Sequence, residues 1–256
     1  IGLKVYEFVD DAIFKKRFGN EEFYQEYKGY AEILKQYIND TSSIINDAIN
    51  KNKKIIFEGA QGTLLDIDHG TYPFVTSSSA TVGGVCTGLG ISPKKIQNIL
   101  GVCKAYKTRV GNGPFPTEIT GAISGKIQKT GKEFGATTGR QRRVGWFDAL
   151  IGKYAVMING IDSIALTKLD VLTTIDKLKI CVAYKYKGTL VKNFTTNMKF
   201  LTSCQPIYEE FDGWWDDITK VKSYEQLPNN AKKYLRRIEE LLNAPISIVS
   251  VGPKRE

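Results

Sequence analysis

The chain has 256 residues, 42% of them hydrophobic, which is enough apolar side chain to bury a sizeable core. Its formal net charge of +9 raises nucleic acid as a partner, but much of it lies in lysine-rich helices and loops such as 51–54 and 231–237 with no groove-reading motif, which argues against one. No apolar run approaches the roughly twenty residues a membrane span needs, and Cys86, Cys103, Cys181 and Cys204 lack the spacing of a metal site or a disulfide framework.

Residues 21–52 are predicted helical. Phe23, Tyr27, Tyr30, Ala31 and Leu34 recur three and four apart, and Asn39-Asp40-Thr41-Ser42 interrupts the run and offers a new N-cap. The short apolar run 54–57 predicts a buried strand, and 98–106 predicts another. A helix is expected over 147–159, then strands over 163–169 and 178–186, the second turning through Lys187-Gly188-Thr189 to a partner near Leu190. Residues 229–242 form an amphipathic helix pattern with Tyr234, Leu235, Ile238, Leu241 and Leu242 inward, and 246–251 reads as a final strand. Trp214-Trp215 reads as a turn that packs aromatics.

Strands alternating with helices give an α/β class: a central, mostly parallel sheet flanked by helices, with nucleotide sites at the carboxyl ends of the strands. No repeat, low-complexity tract or linker interrupts the chain. Residues 1–256 are therefore expected to be a portion of one domain, helical over 1–52 and sheet-and-loop over 53–256.

Three stretches carry the chemistry. The first, FEGAQGTLLDIDHGTYPFVTSSSATVGG at 57–84, is a long loop of Gly, Thr, Ser and Asp, whose amides and hydroxyls can converge on phosphate or sugar oxygens. A surface loop with ordinary turn chemistry is the plainer alternative, and His69 within it reads as a loop residue. The second, GATTGRQRRVGW at 135–146, sets Thr137 and Thr138 beside three arginines. Guanidinium forks can hold a carboxylate or phosphate through paired hydrogen bonds, where a merely solvated basic run would be flanked by more charge. The third, IALTKLD at 164–170, is an apolar strand delivering Lys168 and Asp170. An Asp carboxylate can accept from the N1–H and 2-amino group of guanine while a lysine stem lies along the purine face, as in the N/T-K-x-D element of GTPases. A further strand ends at Ser250 and Gly252, whose loop amides can reach the base from the other side.

Together with KAYKTRVGNGPFPTE at 104–118, KICVAY at 179–184 and PISIVSVGP at 245–253, these stretches resemble the adenylosuccinate synthetase family, in the order that family has them. The resemblance implies a cytoplasmic, homodimeric, Mg²⁺-dependent C–N ligase of purine biosynthesis that joins IMP and L-aspartate using GTP. By the same resemblance Gln61 helps stabilise the oxyanion at O6 of IMP, and Gln61, Thr76, Val110 and Arg140 bind IMP. Ala136, Thr137, Thr138, Gly139, Arg140, Gln141 and Arg142 form the aspartate loop. Arg142, Lys168, Leu169, Asp170, Ser250, Val251 and Gly252 bind GTP. The family's QWGDEGKG phosphate loop, with its base and Mg²⁺ ligand, and its acidic GH pair do not occur here. The chain is thus expected to be a C-terminal portion without metal ligands, inactive alone. A non-catalytic guanine-nucleotide-binding fragment and a GTPase-like switch are the alternatives, separated by which phosphate loop the full reading frame carries.

Overall fold

The computed structural model describes residues 21–135 and 139–253. The chain divides into two compact units, one of Ile1–Glu58 with Val85–Lys95 and one of Gly59–Gly84 with Ile96–Glu256.

In the first unit, helix α1 (Glu21–Lys35) is followed by α2 (Thr41–Asn50), with Asp40 as the N-cap of α2: its carboxylate accepts from the Ser42 and Ser43 N–H groups at 3.1 and 3.2 Å. The helical period and its break are where the sequence puts them. The apolar stripe of α1 is only partly covered, however: Tyr24 is buried, whereas Tyr27, Tyr30 and Leu34 stay about half exposed. Residues 54–57 correct the sequence expectation. They join no ladder among the described residues, and Ile56 is 93% exposed. A strand exists only where its backbone groups find partners, so apolar composition alone does not make one.

The second unit is built on two sheets. Strands β1 (Leu100–Lys104), β5 (Ser163–Thr167) and β9 (Ile246–Val249) form a wholly parallel sheet in the order β1-β5-β9. The central strand buries Ile164, Ala165 and Leu166, the unbroken apolar run typical of parallel strands. A second, mixed sheet pairs β4 (Phe147–Asp148) parallel to β6 (Lys177–Tyr186), with β7 (Thr189–Val191) and β8 (Gln205–Asp212) antiparallel to β6. A small antiparallel pair, β2 (Lys107–Arg109) with β3 (Arg143–Gly145), links the site loops.

The remaining helices are α3 (Gly83–Leu89), α4 (Ala122–Thr130), α5 (Ala149–Asn159), α6 (Met198–Ser203) and α7 (Asn229–Leu242). Helix α5 starts two residues after its predicted beginning because Asp148 caps it. Its buried carboxylate accepts from the Leu150 and Ile151 N–H groups and from the Tyr184 hydroxyl at 2.6 Å, and Gly160 closes the helix at φ 61°. On α7, Tyr234, Leu235, Ile238 and Leu242 enter the main core and Leu241 packs against its edge. Each such buried aliphatic side chain stabilises the fold by about 1.5–3 kcal/mol. The two tryptophans diverge. Trp214 is buried and donates from Nε1 to Thr173 Oγ1, whereas Trp215 is exposed with Lys126 Nζ over its ring. Among the described residues no helix is long and apolar enough to cross a membrane.

Candidate functional site

The loop 59–84 is organised by a residue the motif reading passes over. Asp66, 1% exposed, accepts from the N–H groups of Asp68, His69 and Thr81 at 2.9, 2.9 and 3.0 Å. Gly70 lies so close to the Leu64 and Asp66 carbonyls that a Cβ there would approach both to 2.4 Å. The loop so folded brings two of the predicted IMP residues together. Ser78 Oγ donates to Gln61 Oε1 at 3.2 Å and lies 2.8 Å from Thr76 Oγ1, which also reaches Leu65 O. Gln61 holds φ at 67°, a conformation that non-glycine residues adopt at a cost. Val110, half exposed, is carried to the same loop by its neighbour: Arg109 donates to Asn112 O and Pro114 O on its own side and to Thr71 Oγ1 and Phe74 O on the other. His69 is an exposed turn residue whose carbonyl accepts from Tyr154.

Acid is expected to loosen this loop. Burial alone would raise the Asp66 pKa, but the amides of His69, Thr81 and Asp68 outweigh it and hold the group down at about 2, against an ordinary 3.8. For a depressed carboxyl the stabilisation is present above the ordinary value and is lost as pH falls through the folded one. Amide-exchange protection at His69 and Thr81 should therefore decline between pH 3.8 and about 2. Protection that holds steady across that window would mean the carboxylate does not organise the loop.

In the arginine segment Ala136, Thr137 and Thr138 lie outside the described residues. Around them the chain closes on itself: Phe134 and Gln141 form an antiparallel bridge, Gly135 N–H donates to Arg140 O, and Gly139, at φ 62°, donates to Gly135 O. Gln141 Nε2 binds Gln128 Oε1, and Gln128 Nε2 binds Arg142 O, fastening the loop to α4. The neighbours Arg142 and Arg143 go to different partners, as adjacent side chains of an extended chain do. Arg143 turns to Glu118, whose two oxygens it engages, and to the Gly113 carbonyl, while Arg142 turns inward. Arg140 is exposed.

The guanine-type segments also meet. Leu169 N–H donates to Ser250 O at 3.3 Å, and Ser250 N–H donates to Leu166 O at 2.8 Å, so the ends of β5 and β9 form one rim. On that rim Lys168 sits in the left-handed region, φ 62° and ψ 32°. Asp170 is half-buried. Burial raises its pKa, and no other described residue donates a hydrogen bond to its carboxylate. Ser250 Oγ reaches Gly252 O, with Val251 between them half-buried.

Beneath these two segments lies Glu133, whose side chain is fully buried. It accepts from Lys104 Nζ and Lys168 Nζ at 2.9 Å, from Arg142 Nη1 at 3.0 Å and from the Tyr106 hydroxyl at 2.6 Å. Burial opposes its ionisation, but the hydroxyl and the lysines prevail and hold its pKa at about 2.

The family model for adenylosuccinate synthetase matches residues 4–256. The chain belongs to this family. It is 54% identical over 238 residues to the adenylosuccinate synthetase of Trichlorobacter lovleyi, which covers 93% of this chain and 55% of that one. It is 51% identical to that of Geotalea uraniireducens, covering 99% of this chain and 60% of the relative. The solved, fully ligated adenylosuccinate synthetase of Plasmodium falciparum superposes with a TM-score of 0.88 at 43% identity, over 90% of this chain and 55% of that one. A cyanophage succinoaminodeoxyadenylate synthetase at 19% identity and TM-score 0.51 shares the fold alone. The chain thus spans little more than half the length of the curated relatives it matches.

Among the described residues the motif groups are partly or fully exposed, with Leu169 as the buried exception, and several of the residues that hold them are not singled out by the sequence. Glu133 lies in none of the motif stretches, whereas Asp66 falls within 57–84 and Arg109 within 104–118 without being marked out there by its type or spacing. Lys104 and Tyr106 fall within the KAYK stretch and could have been singled out there. Among the described residues no three His, Cys, Asp or Glu side chains gather as a metal site.

Proposed function

We propose that the protein to which this chain belongs ligates IMP and L-aspartate to adenylosuccinate at the expense of GTP. The γ-phosphoryl group passes to O6 of IMP, and the aspartate amino group then displaces phosphate at C6, leaving GDP and phosphate. This chain supplies binding and orientation. Gln61 and Thr76, with Val110 along the ribose, take IMP. The 136–142 loop takes the aspartate carboxylates through Thr137, Thr138 and Arg140, flanked by Ala136, Gly139 and Gln141. Arg142 serves both this loop and the GTP side, and Lys168 to Asp170 with Ser250 to Gly252 take guanine. Holding reactants in register and placing fixed cations beside developing charge lowers such a barrier substantially.

The observation that carries this reading is the shared rim of β5 and β9. A half-buried acceptor carboxylate at Asp170 and a lysine in a costly backbone conformation stand on it together. Such strain persists where the surroundings and a function require it. The expected cofactor, Mg²⁺, would neutralise phosphate charge when bound. The described residues gather no ligand set for it, and the roles assigned to them do not involve the ion. A homodimer and a cytoplasmic location rest on the family resemblance.

The test is adenylosuccinate formation from IMP, GTP and aspartate, by the full-length protein and by the 256-residue chain side by side. Product is expected from the first and none from the second, which carries neither the GDEGKG-type loop nor a GH pair. Failure of the full-length protein would sink the ligase reading. Product from the chain alone would sink the division of labour, and GTP binding without product by both would favour a guanine-nucleotide-binding module.

A further inference from the structure

Glu133 belongs to no motif, yet it touches both halves of the proposed site. Four residues from three segments converge on it: Lys104 at the end of β1 with Tyr106 just beyond it, Arg142 from the arginine loop and Lys168 from the guanine rim. Its backbone is tied into the same arrangement. Glu133 N–H donates to Gln128 O at the end of α4, and Glu133 O accepts from Arg142 N–H at 2.9 Å, at the base of the loop that carries Arg140 and the threonines. Lys168 Nζ has a second acceptor beside it, Gly131 O at 2.5 Å. The lysine head is therefore held down at two points, which leaves its aliphatic stem to lie against a planar base.

Charge makes this more than a structural tie. One cation balances the charge of a buried carboxylate, whereas Glu133 gathers three. Asp170, whose charge is felt at Lys168 and Tyr106, offsets one more of them and leaves a positive surplus. That surplus suits phosphate and carboxylate oxygens arriving from outside, and each cation can serve them only if its direction is fixed beforehand.

We propose that Glu133 is a positioning residue that sets Lys168 on the guanine side and Arg142 on the aspartate side with a single carboxylate, so that GTP and aspartate affinity depend on it together. This rests on the ligase function proposed for the whole protein. The experiment uses the full-length protein with Glu133→Gln and Glu133→Asp, measuring kcat, the three KM values and Tm. The glutamine keeps the size but loses the charge. The aspartate keeps the charge but withdraws it from both cations, and it carries the test if the glutamine variant does not fold. For Glu133→Gln the KM for GTP and for aspartate should each rise about tenfold, with the KM for IMP within about twofold of wild type, as expected where charge-assisted hydrogen bonds are lost on two substrates only. Glu133→Asp should move the same two constants, by less. A rise in one alone, no rise in either, or an equal rise in all three that tracks a lowered Tm would each overturn the proposal. A wild-type protein that forms no adenylosuccinate would instead sink the ligase reading, which is a separate result.

Discussion

Arg140→Leu in the full-length protein is expected to raise the KM for aspartate by about thirtyfold or more and to slow turnover. A missing guanidinium leaves substrate carboxylate oxygens without partners, at about 2–5 kcal/mol for a buried charge pair, and every 1.4 kcal/mol is about tenfold. Arg142 is bound to Glu133 and Arg143 to Glu118, so replacing either disturbs the fold as well as the site. Arg140 is exposed, and the hydrogen bond from Gly135 N–H goes to its backbone oxygen, which the substitution leaves in place. Steady-state kinetics at saturating GTP and IMP measure the effect. An unchanged aspartate KM together with an unchanged kcat would remove Arg140 from the site.

The groups proposed to face a ligand are legible in the sequence, and those that hold them in place are not. Arg140, Lys168 and Asp170 stand in glycine-flanked or strand-end contexts whose chemistry is local, so composition and spacing point to them, whereas Thr76 is reached only through the family resemblance. The role proposed for Glu133 depends on residues 104, 106, 142 and 168 coming together around it, and no local window of the chain contains all five. The same division holds for the fold. The period of α7 and the buried run of β5 are written locally and are read directly. Strand β8 is hidden because Pro206 and the pair Glu209-Glu210 break its apolar alternation. Its carboxylates are answered by Arg237 on α7 and Lys179 on β6, partners distant in sequence. Residues 54–57 show the reverse failure: a run with the composition of a strand and no ladder among the described residues.

Asp170→Asn is expected to change which nucleotide the full-length protein prefers, and this is the largest selectivity effect the site offers. The carboxylate is acceptor-only, so it matches the N1–H and 2-amino donors of guanine and opposes the acceptor N1 of adenine. Burial has already raised its pKa. A desolvated carboxylate with no donor from another described residue gains most from a ligand that brings two donors, and it loses most when one is missing. Asparagine keeps the shape but turns one oxygen into an amide donor, which now faces the guanine 2-amino group donor to donor and suits the 2-carbonyl of xanthine instead. Sites built on hydrogen bonds discriminate by orders of magnitude when a buried polar group goes unpaired. The ratio of kcat/KM for XTP to that for GTP should therefore rise by about a hundredfold in the variant, chiefly through loss of GTP. Kinetics with GTP, XTP and ATP on both proteins, at saturating IMP and aspartate, decide it. If the preference for GTP survives intact, Asp170 is a strand-end carboxylate without a role in base selection, and the rim formed by Lys168 and Ser250 is not the guanine pocket.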